Sequence, residues 1–332
     1  FKRNVKINGS RISYTDRNSY KSGEIAPEEI AQAKADIRRI SSGDPMIKFT
    51  SPTRYWEMSD DEVAEKLREF IEGSGTLIGH FEDEENMYLL RAFLHGAARQ
   101  YEAALEDVDR AIELGASVEA YSSRGMLNYI LGKYDVALLD AERAFELQGD
   151  LATASSYAVL LAVTGNGDDA LDVVDGLGLS GDEAVDALAV WSDLSGYAGR
   201  EDEAWDRIAQ MLEERPDDKT LLNAQCWLSG SWSYKLKDAG DICDDAVSIS
   251  GHAPGMIDSR AMFKFRNGDI DGALEDLSTA LEKQPGLAAS RYLRGVLLLQ
   301  QGDESGKKDI VEAKRIAPQI ELRYSAFGLQ SE

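Results

Sequence analysis

The chain has 332 residues, 43% of them hydrophobic, and carries 60 Asp and Glu against 36 Lys and Arg, a formal net charge of −24. That length holds a large repeat array or two domains, and so acidic a balance argues against a nucleic-acid binder, which needs a basic face. Two cysteines exclude a disulfide framework and a four-cysteine zinc site, three histidines lack metal spacing, and the longest apolar runs are too short to span a membrane. No metal, cofactor or membrane insertion is therefore expected.

The acid is unevenly spread. Residues 1–84 hold 13 basic and 16 acidic side chains, and residues 85–332 hold 23 and 44. The first 21 residues carry six Lys or Arg against Asp16, which reads as a solvated strand pair or a basic docking arm. Val5, Ile7, Ile12 and Tyr14 alternate around Asn8-Gly9, a β-hairpin signal. Residues 26–40 predict an amphipathic helix with Pro27 in its first turn. Residues 59–73 predict another, with Ser59 and Glu62 as a capping box and Gly73 at its stop. Residues 51–58 between them read as extended.

These elements make residues 1–84 a small α+β segment, too little for an independent enzyme. The chain opens on Phe1 rather than Met, so the segment reads as the end of a truncated upstream domain. The string from Tyr20 to Ile30, followed by Arg54-Tyr55-Trp56-Glu57-Met58, resembles the junction of bacterial exported transglutaminase-like proteins. In those, a papain-like Cys-His-Asp core precedes a helical tail. The resemblance implies a bacterial, periplasmic protein and an enzyme upstream; the Cys-His-Asp motif itself does not occur in this chain.

Beyond residue 84 one phrase recurs: "ARQYEAALEDVDRAIELG" (98–115), "GKYDVALLDAERAFELQG" (132–149) and "GDIDGALEDLSTALEKQP" (268–285). Its alanine falls at Ala104, Ala137, Ala170, Ala204, Ala239 and Ala273 and then becomes Gly306, at intervals of 33 to 35 residues. A fixed period of this length signals a solenoid. The unit is helical, because Ala273, Leu274, Leu277, Ala280 and Leu281 share one helix face. Gly268-Asp269 and Pro285 punctuate its ends.

The units read Tyr121, Arg124-Gly125, Tyr129, Ala137, Ala141, Ala144, Gly149 and Ile257, Arg260-Ala261, Phe265, Ala273, Leu277, Ala280, Pro285. This pattern resembles the tetratricopeptide repeat (TPR) family. The resemblance implies a mainly α fold, a right-handed superhelix of about seven helix-turn-helix repeats. They fall at about 85–117, 118–150, 151–184, 185–219, 220–253, 254–287 and 288–318, with 319–332 as a cap or tail. Small residues serve the close crossing of the two helices. Leu177 and Met211 stand where a small residue is expected in the third and fourth repeats. In the fifth, one extra residue between the helices puts Cys226, rather than Trp227, at the crowded position. "GLGLSG" (176–181) matches GxGxxG but follows a helix, so it reads as a turn between repeats.

Stacked repeats of this kind leave a long wall for an extended peptide or another protein. On the family pattern the groove is lined by the first helix of each repeat. That places Leu89, Phe93, Met126, Tyr129, Val159, Tyr197, Leu228, Trp232, Met262, Phe265, Tyr292 and Val296 in it, with acidic Glu119, Asp186, Asp193 and Asp258. Such a surface suits anchor residues. It lacks the Lys/Arg-Asn set with which chaperone-binding members of the family grip a terminal carboxylate. The expected function is a non-catalytic protein- or peptide-binding scaffold, its partner neutral or basic. The alternative is the recruiting module of a larger exported transglutaminase-like enzyme. Residues 317–332 either cap the last repeat or fill the groove as a self-ligand. Cys226 and Cys243 face each other within the fifth repeat, as buried thiols or, in an oxidising compartment, as a bridge. Catalysis through Cys226 and His252 would need an activating base and an oxyanion site that no motif provides.

Overall fold

The computed structural model of the chain describes residues 4–8, 11–16, 19–23, 68–75, 78–79 and 84–330. The helix expected at 26–40, the extended stretch 51–58, the capping box at Ser59 and the turn residue Gly9 lie outside them. The backbone of β1 (Asn4–Asn8), β2 (Arg11–Asp16) and β3 (Ser19–Gly23) pairs antiparallel in the order β1-β2-β3. Asn8 stands opposite Arg11, and Asp16 opposite Ser19. Residues 68–75 are helical, so the stop expected at Gly73 is overrun by two residues. The Ser74 hydroxyl donates to the Ile71 carbonyl at 2.7 Å and holds the last turn past the glycine.

The rest is helical hairpins in two compact units, 1–147 and 148–332. The first unit carries α1 (Glu85–Ala97), α2 (Tyr101–Leu114), α3 (Val118–Ile130) and α4 (Tyr134–Gln148), whose last residue falls beyond it. The second begins with α5 (Leu151–Val163), α6 (Gly167–Asp175), α7 (Gly181–Ser195) and α8 (Glu201–Glu214). It continues with α9 (Lys219–Trp232), α10 (Gly240–Ile249), α11 (Pro254–Arg266) and α12 (Ile270–Lys283). It ends with α13 (Ala288–Gln300), α14 (Gly306–Ile316) and the short α15 (Ile320–Ala326).

Local chemistry sets these boundaries. Ser117, Asp150, Asp218 and Asp269 each accept a backbone N–H from the first turn of α3, α5, α9 and α12, closing donors that the helix leaves open. The hairpin turns at Gly165 and Gly268 need a left-handed residue, φ +91° and +87°. "GLGLSG" is a turn, running from the end of α6 into α7.

Packing explains the recurring alanine. Ala104, Ala137, Ala170, Ala204, Ala239 and Ala273 are all fully buried. Each sits where the two helices of a hairpin cross. A side chain on Gly125 would press on the Ala137 carbonyl at 3.3 Å, and one on Gly295 on the Gly306 carbonyl at 2.8 Å. In the α9–α10 hairpin the matching place belongs to Cys226, itself buried. It is bridged to Cys243 of α10, with Cα atoms 5.0 Å apart.

A second device recurs that the periodicity of apolar residues does not reveal. An arginine of the first helix clasps an aspartate of the second through paired hydrogen bonds. The pairs are Arg91–Asp107, Arg124–Asp140, Arg260–Asp276 and Arg294–Asp309. The aspartates are buried, and fork-on-carboxylate geometry is the strong form of such a bond. Arg124 and Arg260 also reach back to Asp109 and Asp244 on the preceding helices, at 2.9 and 2.8 Å, tying hairpin to hairpin. The α7–α8 hairpin replaces the clasp. There Trp191 Nε1 donates to Asp175 at 3.1 Å, and Arg207 lies 4.4 Å from the Trp191 ring centroid.

Candidate functional site

The first unit and the second treat the expected groove residues differently. In the first, Phe93 and Met126 are 73% and 59% exposed, large apolar side chains open to water. Leu89 packs against the α1–α2 core, and Tyr129 is half-buried with its ring 5.8 Å from that of Tyr134. In the second, Leu228, Met262, Tyr292 and Val296 are fully buried. They are core residues rather than open anchors, and Met262, Tyr292 and Val296 share one cluster with the chain's own C-terminal segment. Val159, Tyr197, Trp232 and Phe265 are half-buried.

What covers part of this face is the C-terminal segment. After α14 the chain turns at residues 317–319 and sends α15 across the first helices of the preceding hairpins. Arg323 donates to both carboxylate oxygens of Asp193 on α7, at 3.0 Å each, from 130 residues away. Its guanidinium also lies 5.4 Å from the Trp227 ring of α9. Tyr324 donates to the Ala289 carbonyl at 3.2 Å, and its ring packs tilted against that of Tyr292 of α13, centroids 4.9 Å apart. Phe327 stands edge-on to Trp227 and Trp232, at 5.7 and 5.1 Å. Arg266 of α11 donates to the Phe327 carbonyl. Ile320, Tyr324, Phe327 and Leu329 are buried and join one core cluster with Met262 and Tyr292. The segment packs on the last hairpin, as a cap would, and also reaches α7, α9 and α11.

Beside it lies a cleft of about 250 Å³, lined by Asp193, Asn223, Trp227, Asp258, Arg323 and Tyr324 among others. Trp227 Nε1 donates to Asp193 at 2.5 Å, which fixes that carboxylate toward Arg323. Asp258 is only 8% exposed and accepts from the Ser290 hydroxyl. Burial pushes its carboxyl up to about 6, against the opposing pull of Ser290 and Arg323. Burial likewise raises the Tyr324 phenol and lowers the Arg266 guanidinium. Packing between α7 and α9 is close as well: a side chain on Gly196 would collide with the Trp232 ring.

Cys226 and His252 are not poised for catalysis. Cys226 is in the disulfide and has no free thiol. His252 sits in a turn at φ +61°, its carbonyl accepting from Lys283 at 3.1 Å. Among the described residues no cluster of metal-ligating side chains occurs, and no helix is long and apolar enough to cross a membrane. Trp227 and the two arginines, Arg266 and Arg323, are site residues that the periodic reading missed. Trp227 adjoins the position that the repeat marks, and the arginines act through a tertiary contact that no local pattern announces.

Comparison with known proteins fits the helical part. Residues 89–154 and 261–306 match the tetratricopeptide repeat family model. Yeast Tom70 aligns with a TM-score of 0.56 and 15% identity, over 81% of this chain and 58% of that one. A tetratricopeptide repeat protein from Parabacteroides merdae ATCC 43184 aligns at 0.48 and 17%, over 74% and 98%. YrrB, a TPR protein with an unusual peptide-binding site, aligns at 0.26 and 17%, over 78% and 100%. A search of curated proteins gives no match. Those two segments are similar to tetratricopeptide repeats, and the fold around them is an array of stacked helical hairpins. The alignment with Tom70 supports that helical array alone. The comparisons lend no support to an N-terminal β-hairpin as part of the shared fold, nor to the transglutaminase-like resemblance.

Proposed function

We propose that this chain is a non-catalytic scaffold that binds a protein or peptide on the face formed by α7, α9, α11 and α13. One observation carries this reading: that face accommodates a short helical segment, the chain's own, through two aromatic anchors and an ion pair. Tyr324 and Phe327 fill apolar seats, and Arg323 pairs with Asp193. This is the mode in which a helix lies in a groove and is read by residues one turn apart. Asp193 and Asp258, together with the net charge of −24, favour a basic or neutral partner.

The test is capture of partners by crosslinking in the source cells, with two variants as controls. Trp232→Ala and Phe265→Ala remove half-buried rings on this face. Each is expected to lower capture several-fold while the fold, followed by circular dichroism, persists. Unchanged capture in both folded variants would sink the assignment of this face.

A further inference from the structure

This inference rests on the scaffold reading and names the chemistry of the ligand. Arg323 and Phe327 are four residues apart, so they lie on one side of a helical turn. Arg323 meets Asp193 and the Trp227 ring. Phe327 meets Trp227 and Trp232 edge-on, as aromatic pairs prefer. Tyr324, next to Arg323, sits on Tyr292 and is anchored through its hydroxyl to the Ala289 carbonyl. The face thus reads a cation, an adjacent aromatic ring, and a second ring one turn later.

The resident segment does not use everything the face offers. Asn223 lines the cleft and Trp232 packs against Phe327; the Asn223 Oδ1 and Trp232 Nε1 atoms are buried, with no hydrogen-bond partner among the described residues. Buried polar atoms left so cost free energy. The cleft beside α15 leaves room for bulkier side chains. A segment of the same pattern with better-placed polar groups would therefore fit more tightly.

We propose that the cradle of Asp193, Trp227, Trp232, Asp258 and Tyr292 recognises a helical partner segment of the pattern Arg-aromatic-x-x-aromatic. Arg323–Phe327 occupies it in cis as a competing latch. Displacement exchanges like for like, so the apolar seats are never left bare to water. A tethered competitor acts at an effective concentration on the order of millimolar. It lowers the apparent affinity of an incoming segment by the fraction of molecules whose latch is open.

The probe is a fluorescein-labelled peptide with the sequence of residues 317–332, titrated into the full chain. Arg323→Ala combined with Phe327→Ala weakens the latch and leaves every cradle residue in place. The peptide is expected to bind this variant at least about tenfold more tightly than the unaltered chain, because more of its cradles are open. Adding Asp193→Ala should remove the gain, and a peptide whose arginine is replaced by alanine should bind neither. Thermal melts check that the variants are folded. If the double variant is not, Arg323→Ala alone is read instead: its side chain is half exposed, and a gain of a few-fold is expected. Equal affinity for latch variant and unaltered chain, or no saturable binding to a folded variant, overturns the proposal. So does a chain that is dimeric by light scattering and becomes monomeric in Arg323→Ala, which would give the segment to a second copy. Partner capture that depends on Trp232 and Phe265 while the peptide is ignored would defeat this proposal and leave the scaffold reading standing. Loss of both would remove the two together.

Discussion

At the scale of single residues the telling one is Asp258. It is a carboxylate placed where water scarcely reaches, with one hydroxyl donor, and its pKa rises from 3.8 to about 6. A folded-state pKa above the unfolded value means that the folded chain holds its proton longer. The stabilising contribution is full below the unfolded value, and it is lost as pH rises through about 6. The shift corresponds to about 3 kcal/mol. Asp258→Asn should therefore be stabilising relative to the unaltered chain at neutral pH. The difference between them should shrink by about 2 kcal/mol as pH falls from about 7 to about 4. Chemical denaturation of both proteins across that range measures it, and parallel pH curves would contradict it. The repeat spacing placed Asp258 on the first helix of its hairpin. Its burial was not legible, because Arg323 and Tyr324, which line the same cleft, come from outside the repeat.

Between elements, the Arg–Asp clasp decides how firmly a hairpin closes. Asp140 is 3% exposed and faces Arg124. Removing the arginine alone leaves a buried charge without its partner, a loss of about 3–5 kcal/mol. Arg124→Met should destabilise the first unit by about that much in urea melts, and Arg124→Met with Asp140→Asn should recover part of it. Additive losses would mean that the clasp contributes nothing as a pair. The same scale shows what sequence pattern carries well. The small residues at the helix crossing were readable one by one, including Cys226 in place of Trp227, because crowding leaves a single acceptable size. The clasp was present in the sequence too, as Arg and Asp mostly 16 residues apart. An apolar period cannot find it, because both partners are polar and read as solvent-facing. Nor could spacing settle the bridge between Cys226 and Cys243, which depends on the two helices approaching to 5.0 Å.

For the whole molecule, charge governs the response to salt. A net −24 repels itself in the compact state, and salt weakens that repulsion more than it weakens part-buried, bidentate clasps. The unfolding midpoint should rise by a few degrees as NaCl goes from about 0.01 to about 0.15 M; a fall would show that the ion pairs outweigh the repulsion. Acidity, the helical period, the turn positions and the small crossing residues were all determined by sequence alone. Each follows from neighbours along the chain: a helix turns every few residues, and two helices joined by a short turn must cross closely. The fate of the groove was decided only by tertiary structure. Tyr292 and Met262 look like open anchors when counted along a repeat, yet they are core, and a segment outside the period lies across four helices. The physical reason is distance in sequence. Arg323 meets Asp193 across 130 residues, and only folding brings that aspartate and that arginine together.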